Sequence, residues 1–303
     1  MNRILEPNTL DNVAARLVQG NFGVADPLLG MEGPPIPSIL EVRDIIEDCR
    51  ELLFPGLTDG RERSGARSQR EIEERLDHVA ARLSRQIELA VAAGGAPKRT
   101  YEGDGGAAYA KRVVNAIVPE LPRLRLALVE DAAAAVAGDP AARCVADVIL
   151  CYPGHYTVTV HRLAHILWNL GVPLLPRMMS EHAHRVTGID IHPGAHIGAF
   201  FFIDHGTGVV VGETSIICDR VRIYQGVTLG GLSVPTSEVE SLRNGPKRHP
   251  TIEDNVIIYA NATILGGNTV VGRGSIIEGN AWVVKSVPPN TRVTGTYQQV
   301  ANA

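Results

Sequence analysis

The sequence predicts an α + β chain: an all-α N-terminal domain followed by a parallel β-helix of hexapeptide repeats. Three observations carry this. An aliphatic position returns every six residues at Ile191, Ile197 and Ile203, then at Val211, Ile217, Ile223 and Leu229. After a gap it resumes at Ile252, Ile258, Ile264, Val270 and Ile276, ending on Trp282. A period of six fits neither the 3.6 of a helix nor the 2 of a simple strand; it marks stacked coils, none of which can bury its apolar row alone. Small or turn-forming residues often follow the ladder, as in Ile197-Gly198, Val211-Gly212 and Leu229-Gly230. Before residue 188 the pattern is different, with apolar residues at helical spacing between capping signals.

With 303 residues the chain is long enough for two domains and a sizeable core. A net charge of −4 gives no electrostatic case for nucleic acid or an anionic membrane as partner. No stretch approaches the roughly 20 apolar residues of a membrane span, and Met1 to Pro7 holds no signal-peptide run. Cys49, Cys144, Cys151 and Cys218 form no CxxC or zinc spacing, so they read as reduced thiols of a cytoplasmic protein.

Taken in order, Leu10 to Gln19 has helical spacing, and Gly20 to Pro37 is a Gly/Pro-rich loop. Ser38-Ile39-Leu40-Glu41 is a capping box opening a helix that Pro55-Gly56 stops. Thr58 to Ala66 is polar and expected to be mobile. A second capping box, Ser68 to Glu71, opens a helix ended by Gly94-Gly95. Two or three helices follow up to Val136, broken near Pro119 and Pro122. Asp139-Pro140 has the form of a helix start, Asp as N-cap and Pro at the first position. Tyr156 to Leu170 and Met178 to Val186 complete the helical domain, 1–187. The β-helix domain covers 188–290, with a loop, 231–249, thrown out of the coil, and a tail, 291–303, follows. The ladder is also broken by one step of eight, where Asp204-His205-Gly206-Thr207-Gly208 adds two residues as a bulge.

The residues around these breaks carry a family likeness. Asp190-Ile191-His192-Pro193, then Asp204-His205-Gly206-Thr207-Gly208, then Gln225-Gly226-Val227-Thr228-Leu229-Gly230-Gly231 closely resemble the bacterial and plant serine O-acetyltransferases. Arg248-His249-Pro250 and Val287-Pro288-Pro289 match too, and the likeness covers roughly 139–295. It implies an α-helical domain followed by a left-handed β-helix. The reaction it implies is acetyl transfer from acetyl-CoA to the hydroxyl of L-serine, giving O-acetylserine, the precursor of cysteine. Acetyl-CoA enters as co-substrate, and no permanently bound cofactor is expected.

An alcohol is a poor nucleophile at neutral pH and needs a base placed to take its proton. An imidazole suits that task, and His205 is the candidate. Asp190 is the carboxylate expected to fix its tautomer. Fifteen residues separate the two, a little under one coil of about 18. The resemblance assigns the same pair, and places Asp139 and Asp204 on the serine ammonium, although Asp139 also reads as a plain N-cap. Arg248 suits a planar carboxylate, and His249 is expected against serine or the tetrahedral intermediate. Glu213 has two open readings, orienting a substrate group or facing solvent. Gly230, Gly231 and Ala260 are candidates for acetyl-CoA, where small residues let the pantetheine arm approach backbone amides; tight corners need small residues as well.

Other classes are weighed against this. The gamma-class carbonic anhydrases are also left-handed β-helices and bind zinc through histidines, two of them five apart. Here His192 and His196 are four apart, and no metal is expected. Another acceptor, homoserine or an amino sugar, and a non-catalytic repeat scaffold are the rival readings. The family implies a homotrimer with sites between subunits, or a dimer of trimers. Its sulfhydrylase-docking tail usually ends in Ile, whereas this chain ends Ala301-Asn302-Ala303, so docking to O-acetylserine sulfhydrylase is not carried over. The same holds for cysteine feedback that depends on a longer tail.

Overall fold

The computed structural model describes residues 7–18, 34–58, 69–94, 105–232 and 247–295. Outside them lie most of the Gly20 to Pro37 loop, Ser68 of the second capping box, most of the Thr58 to Ala66 segment, the middle of the 231–249 loop and the end of the tail.

Among the described residues the N-terminal half is helical: α1 Pro7–Val18, α2 Ile39–Leu53, α3 Gln69–Ala93, α4 Gly106–Ile117, α5 Leu121–Gly138, α6 Val145–Cys151, α7 Pro153–Asn169 and α8 Leu175–Thr187. A 3₁₀ turn, Val118–Glu120, carries Pro119 and forms the break between α4 and α5. Pro122 breaks nothing, since it sits in the first turn of α5, where its missing N–H costs no bond. The first capping box is only half made. Ser38 Oγ accepts from the Glu41 amide at 3.3 Å, but the Ser38 amide donates to Gln86 Oε1 on α3 at 2.8 Å. Glu41 is drawn away to Arg82 of α3, Nε to Oε2 3.0 Å. Asp139 does not start a helix: it follows the last turn of α5, and α6 begins only at Val145.

Among the described residues the C-terminal half is a coil of fourteen short parallel strands in three sheets. Sheet A holds β1 Asp190–Ile191, β4 Val210–Val211, β7 Thr228–Gly230, β10 Thr263–Leu265 and β13 Trp282–Val283. Sheet B holds β2 His196–Ile197, β5 Ile216–Ile217, β8 Thr251–Ile252 and β11 Val270–Val271. Sheet C holds β3 Phe202–Ile203, β6 Arg222–Ile223, β9 Ile257–Ile258, β12 Ile276–Ile277 and β14 Arg292–Val293. Each strand pairs with the third one along, as three hexapeptides per coil require, except at the end, where β12 pairs with β14 and a single Val271–Val287 bridge takes the place of the intervening strand.

The ladder from Ile191 to Ile264 fills the coil interior, each residue at most 6 % exposed. Burying each such side chain is worth about 1.5–3 kcal/mol. After Ile264 the phase slips by one. Val271, Ile277 and Val283 point inward, while Trp282 is 69 % exposed. The register agrees, pairing Ile264 with Val283 and Ile252 with Val271. The expected ladder positions Val270, Ile276 and Trp282 are therefore corrected by one residue.

The corners repeat as well. Three residues before each inward residue of sheet C stand Phe200, Arg220, Asn255, Gly274 and Asn290, all with φ between 56° and 69°. Before sheet A the same place is taken by Gly208, Gly226, Asn261 and Asn280, again left-handed. Asn and Gly are the residues that tolerate this conformation.

Helix α7 packs among α4, α5, α8 and β3 and is buried on most sides. His155 on it is buried and joined through Nε2 to the Leu128 carbonyl at 3.0 Å. Burial pushes this imidazole down to about 4, and His161 is also pushed well down, again by burial. The unfolded chain takes up these protons near pH 6.5, whereas folded His155 takes up its own only near pH 4 and His161 also resists protonation, so stability present above pH 6.5 is lost as pH falls below it. For His155 alone the loss by pH 4 is about 3 kcal/mol. Urea midpoints measured from pH 7 to 4 are expected to fall, and His155→Gln is expected to flatten the fall.

Candidate active site

The eight-residue step lies at the corner from sheet C to sheet A. Gly208 keeps the regular corner position, so the two added residues come before it and push out a bulge. His205 tops that bulge with φ 58° and its side chain 71 % exposed. A left-handed backbone is uncommon for a residue with a Cβ, and outside the regular corners such residues cluster at functional sites. Gly206, φ 90°, must be glycine: a Cβ there would lie 2.4 Å from Ile189 Cδ1.

Two carboxylates stand with His205. Asp204 Oδ1 lies 3.7 Å from His205 Nδ1. Asp139 comes from the end of α5, its Oδ1 accepting from the Ala141 amide at 2.8 Å and its Oδ2 from the Tyr152 hydroxyl at 2.6 Å. The Tyr152 bond, then the Ala141 bond, hold the Asp139 carboxyl below its ordinary range, and the charges of His205 and Arg222 act the same way. Tyr152 is pushed up to about 12, first by that bond.

A second group forms at the corner from sheet A to sheet B. Arg248 pairs with Glu213. Thr214 Oγ1 accepts from the amides of Arg248, 2.8 Å, and His249, 3.1 Å, so the end of the extruded loop is pinned to the coil below. His249 Nδ1 accepts from the Thr214 amide at 3.1 Å and lies 2.8 Å from its hydroxyl. That places the proton of the neutral ring on Nε2. Burial, then Arg248 and Lys247, push His249 down to about 4, so at neutral pH it is an uncharged N–H donor. Its ring lies over Gly212, where a Cβ would come within 2.0 Å of Cδ2.

The structure thus gathers Asp139, Asp204 and His205 at one corner, and Glu213, Arg248 and His249 at another. Among the described residues no hydrogen bond or ion pair joins His205 to Asp190. Asp190 opens β1, half-buried, with its carboxyl, Glu181 and His184 all within 4.8 Å of one another. Gly230 and Gly231 lie at the corner of Arg248, and Ala260 follows β9 at the corner of His205. His192 and His196 belong to no group of three metal-type side chains among the described residues. Tyr152 and Thr214 are contacts that sequence reasoning missed. Neither lies in the ladder or in a charged motif, and only the fold brings Tyr152 back over Asp139.

The chain is 43 % identical over 291 residues to a serine acetyltransferase of Synechococcus elongatus, covering 94 % of this chain and 90 % of that one. It belongs to the serine acetyltransferase family. No family model matches the chain. Among solved structures, the serine acetyltransferase isoform 3 of Entamoeba histolytica in complex with cysteine superimposes with a TM-score of 0.70 at 31 % identity, covering 98 % of this chain and 96 % of that one. The Brucella abortus serine acetyltransferase in complex with coenzyme A gives a TM-score of 0.55 at 32 % identity over 72 % and 79 %. The serine acetyltransferase likeness therefore reaches beyond 139–295 into the helical half.

Proposed function

We propose that this chain transfers the acetyl group of acetyl-CoA to the hydroxyl of L-serine, giving O-acetyl-L-serine and CoA on the way to cysteine. The observation that carries this is His205, held out on the bulge in a left-handed conformation beside Asp204 and Asp139. His205 takes the hydroxyl proton as the serine oxygen attacks the thioester carbon. The tetrahedral intermediate collapses with loss of the CoA thiolate, and the imidazolium returns the proton to sulfur. Asp139 and Asp204 face the ammonium of serine. Asp190 holds the imidazole once the ring, free to turn at its exposed position, swings from Asp204 toward it. Arg248, released in part from Glu213, receives the serine carboxylate, and His249 donates from Nε2 to the substrate or the developing oxyanion.

The two groups stand at different corners of one coil, so the working site joins His205 of one copy to Arg248 and His249 of a neighbour. This calls for a homotrimer, alone or doubled. Acetyl-CoA then runs between Gly230 and Gly231 of one copy and Ala260 of the next. Residues 296–303, on which docking to a sulfhydrylase turns, lie outside the described residues.

Thiol release from acetyl-CoA, with L-serine, L-homoserine or glucosamine as acceptor, tests the reading. Release with glucosamine and none with serine would overturn it; repeating the assay with cysteine present reads feedback. The roles of the two aspartates separate by kinetics: Asp190→Asn is expected to lower kcat and Asp204→Asn to raise the serine KM. Tyr152→Phe removes a charged hydrogen bond from Asp139 and is expected to raise the serine KM about tenfold, with the acetyl-CoA KM unchanged.

A further inference from the structure

One corner column of the coil departs from its own rule. Below, at the turn from sheet B to sheet C, the left-handed position is filled by Asn255, Gly274 and Asn290. In the two coils under α5 it is filled by Phe200, φ 56°, and Arg220, φ 59°. Phe and Arg are disfavoured there, and residues held in such conformations cluster at functional sites. The two side chains stack, Arg220 Cζ lying 4.3 Å from the Phe200 ring centre. Next to them Arg222 lies 5.5 Å over the Phe202 ring and donates from Nη1 to the Gly138 carbonyl at 3.0 Å. Gly138 leaves the room for this, since a Cβ would sit 2.2 Å from Arg222 Nη2 where it now lies.

Between these arginines and the small residues Ala134 and Ala137 of α5 runs a groove of about 320 Å³. Neither guanidinium has a carboxylate salt-bridge partner among the described residues. Two ring-supported guanidiniums, Arg220 and Arg222, the second also acting on the Asp139 carboxylate, form a place where a dianion is attracted and can be held in a forked geometry. The alanine and phenylalanine walls suit an apolar body attached to it. The groove lies at the corner that the proposed acetyl-transfer site does not use.

We propose that this groove binds a small organic dianion with an apolar body, a phosphate monoester or a dicarboxylate, held by Arg220 and Arg222. Calorimetric titration of the full chain with phenyl phosphate and, separately, with isophthalate tests this, with phenol as neutral control. At least one dianion is expected to bind saturably and phenol not at all; which dianion binds identifies the source of the charge. Arg220→Asn places at this corner the residue that Asn255 and Asn290 provide in the other coils, so it keeps the fold. It is expected to weaken binding at least tenfold and leave serine-dependent thiol release unchanged. Absence of saturable binding by both dianions, equal binding by Arg220→Asn, or displacement of the probe by CoA would each overturn the proposal.

Discussion

His205→Ala is expected to slow serine-dependent thiol release by roughly 10²–10⁴-fold, the usual contribution of a positioned general base. The loss should fall on kcat, because the groups proposed to hold serine, Asp139, Asp204, Arg248 and His249, are untouched. Folding should survive, since the side chain is 71 % exposed and its contact with Asp204, at 3.7 Å, is long. The backbone gives a second variant. At φ 58° glycine is preferred to any residue with a Cβ, so His205→Gly is expected to be at least as stable as the parent and equally slow. A catalytic role predicts that stability and turnover part company in this way. A merely structural histidine predicts that turnover follows the folded fraction. Thiol release by either variant within tenfold of the parent would remove His205 as the base.

How far the molecule could be read from its residues differs between scaffold and site. The six-residue ladder was legible because a coil that stacks on itself repeats the same buried position, and Ile191 to Ile264 obey it. The slip after Ile264 was not, because Val270-Val271 and Ile276-Ile277 are apolar at both candidate positions. Only Trp282, too large for the coil interior and 69 % exposed, marks the change of phase. The bulge was legible as an interruption, and Gly208 against Gly226 and Asn261 shows where the extra residues entered. Local capping rules fared worse wherever a distant partner competed. Glu41 serves Arg82 on another helix, and Asp139 serves Tyr152 instead of starting a helix. Such competition is settled by tertiary contacts, which no window of sequence contains. The separation of His205 from Arg248 and His249 had the same origin: the sequence places His205 in the bulge and the other two at the end of the extruded loop, but the corner each occupies depends on counting strands through an interrupted repeat.

The largest effect on stability is expected at the joint between the two halves. Asp131 of α5 and Arg162 of α7 pair through two hydrogen bonds, Nε to Oδ2 at 2.8 Å and Nη2 to Oδ1 at 3.0 Å. Their side chains are 2 % and 13 % exposed. The same guanidinium donates to the carbonyls of Ile197, 3.1 Å, and Gly198, 2.7 Å, on the first coil, and Asp131 accepts from the Phe201 amide at 2.9 Å. Two helices and the start of the β-helix therefore meet on one buried ion pair. Burial pushes the Asp131 carboxyl up, and Arg162 is what opposes this. Arg162→Leu strands a buried carboxyl, and Asp131→Leu strands a buried guanidinium. Each is expected to cost about 3–5 kcal/mol, the range for breaking one side of such a pair. Arg162→Leu with Asp131→Leu leaves no unpaired charge, so its cost should fall well below the sum of the two, although the carbonyls of Ile197 and Gly198 still lose their donor. Denaturant unfolding at one fixed protein concentration checks this cycle; additive losses would mean that the pair is not the joint. The position matters for chemistry too, because α5 ends on Gly138 and delivers Asp139 to the corner of His205. A loosened joint is therefore expected to raise the serine KM before it unfolds the chain.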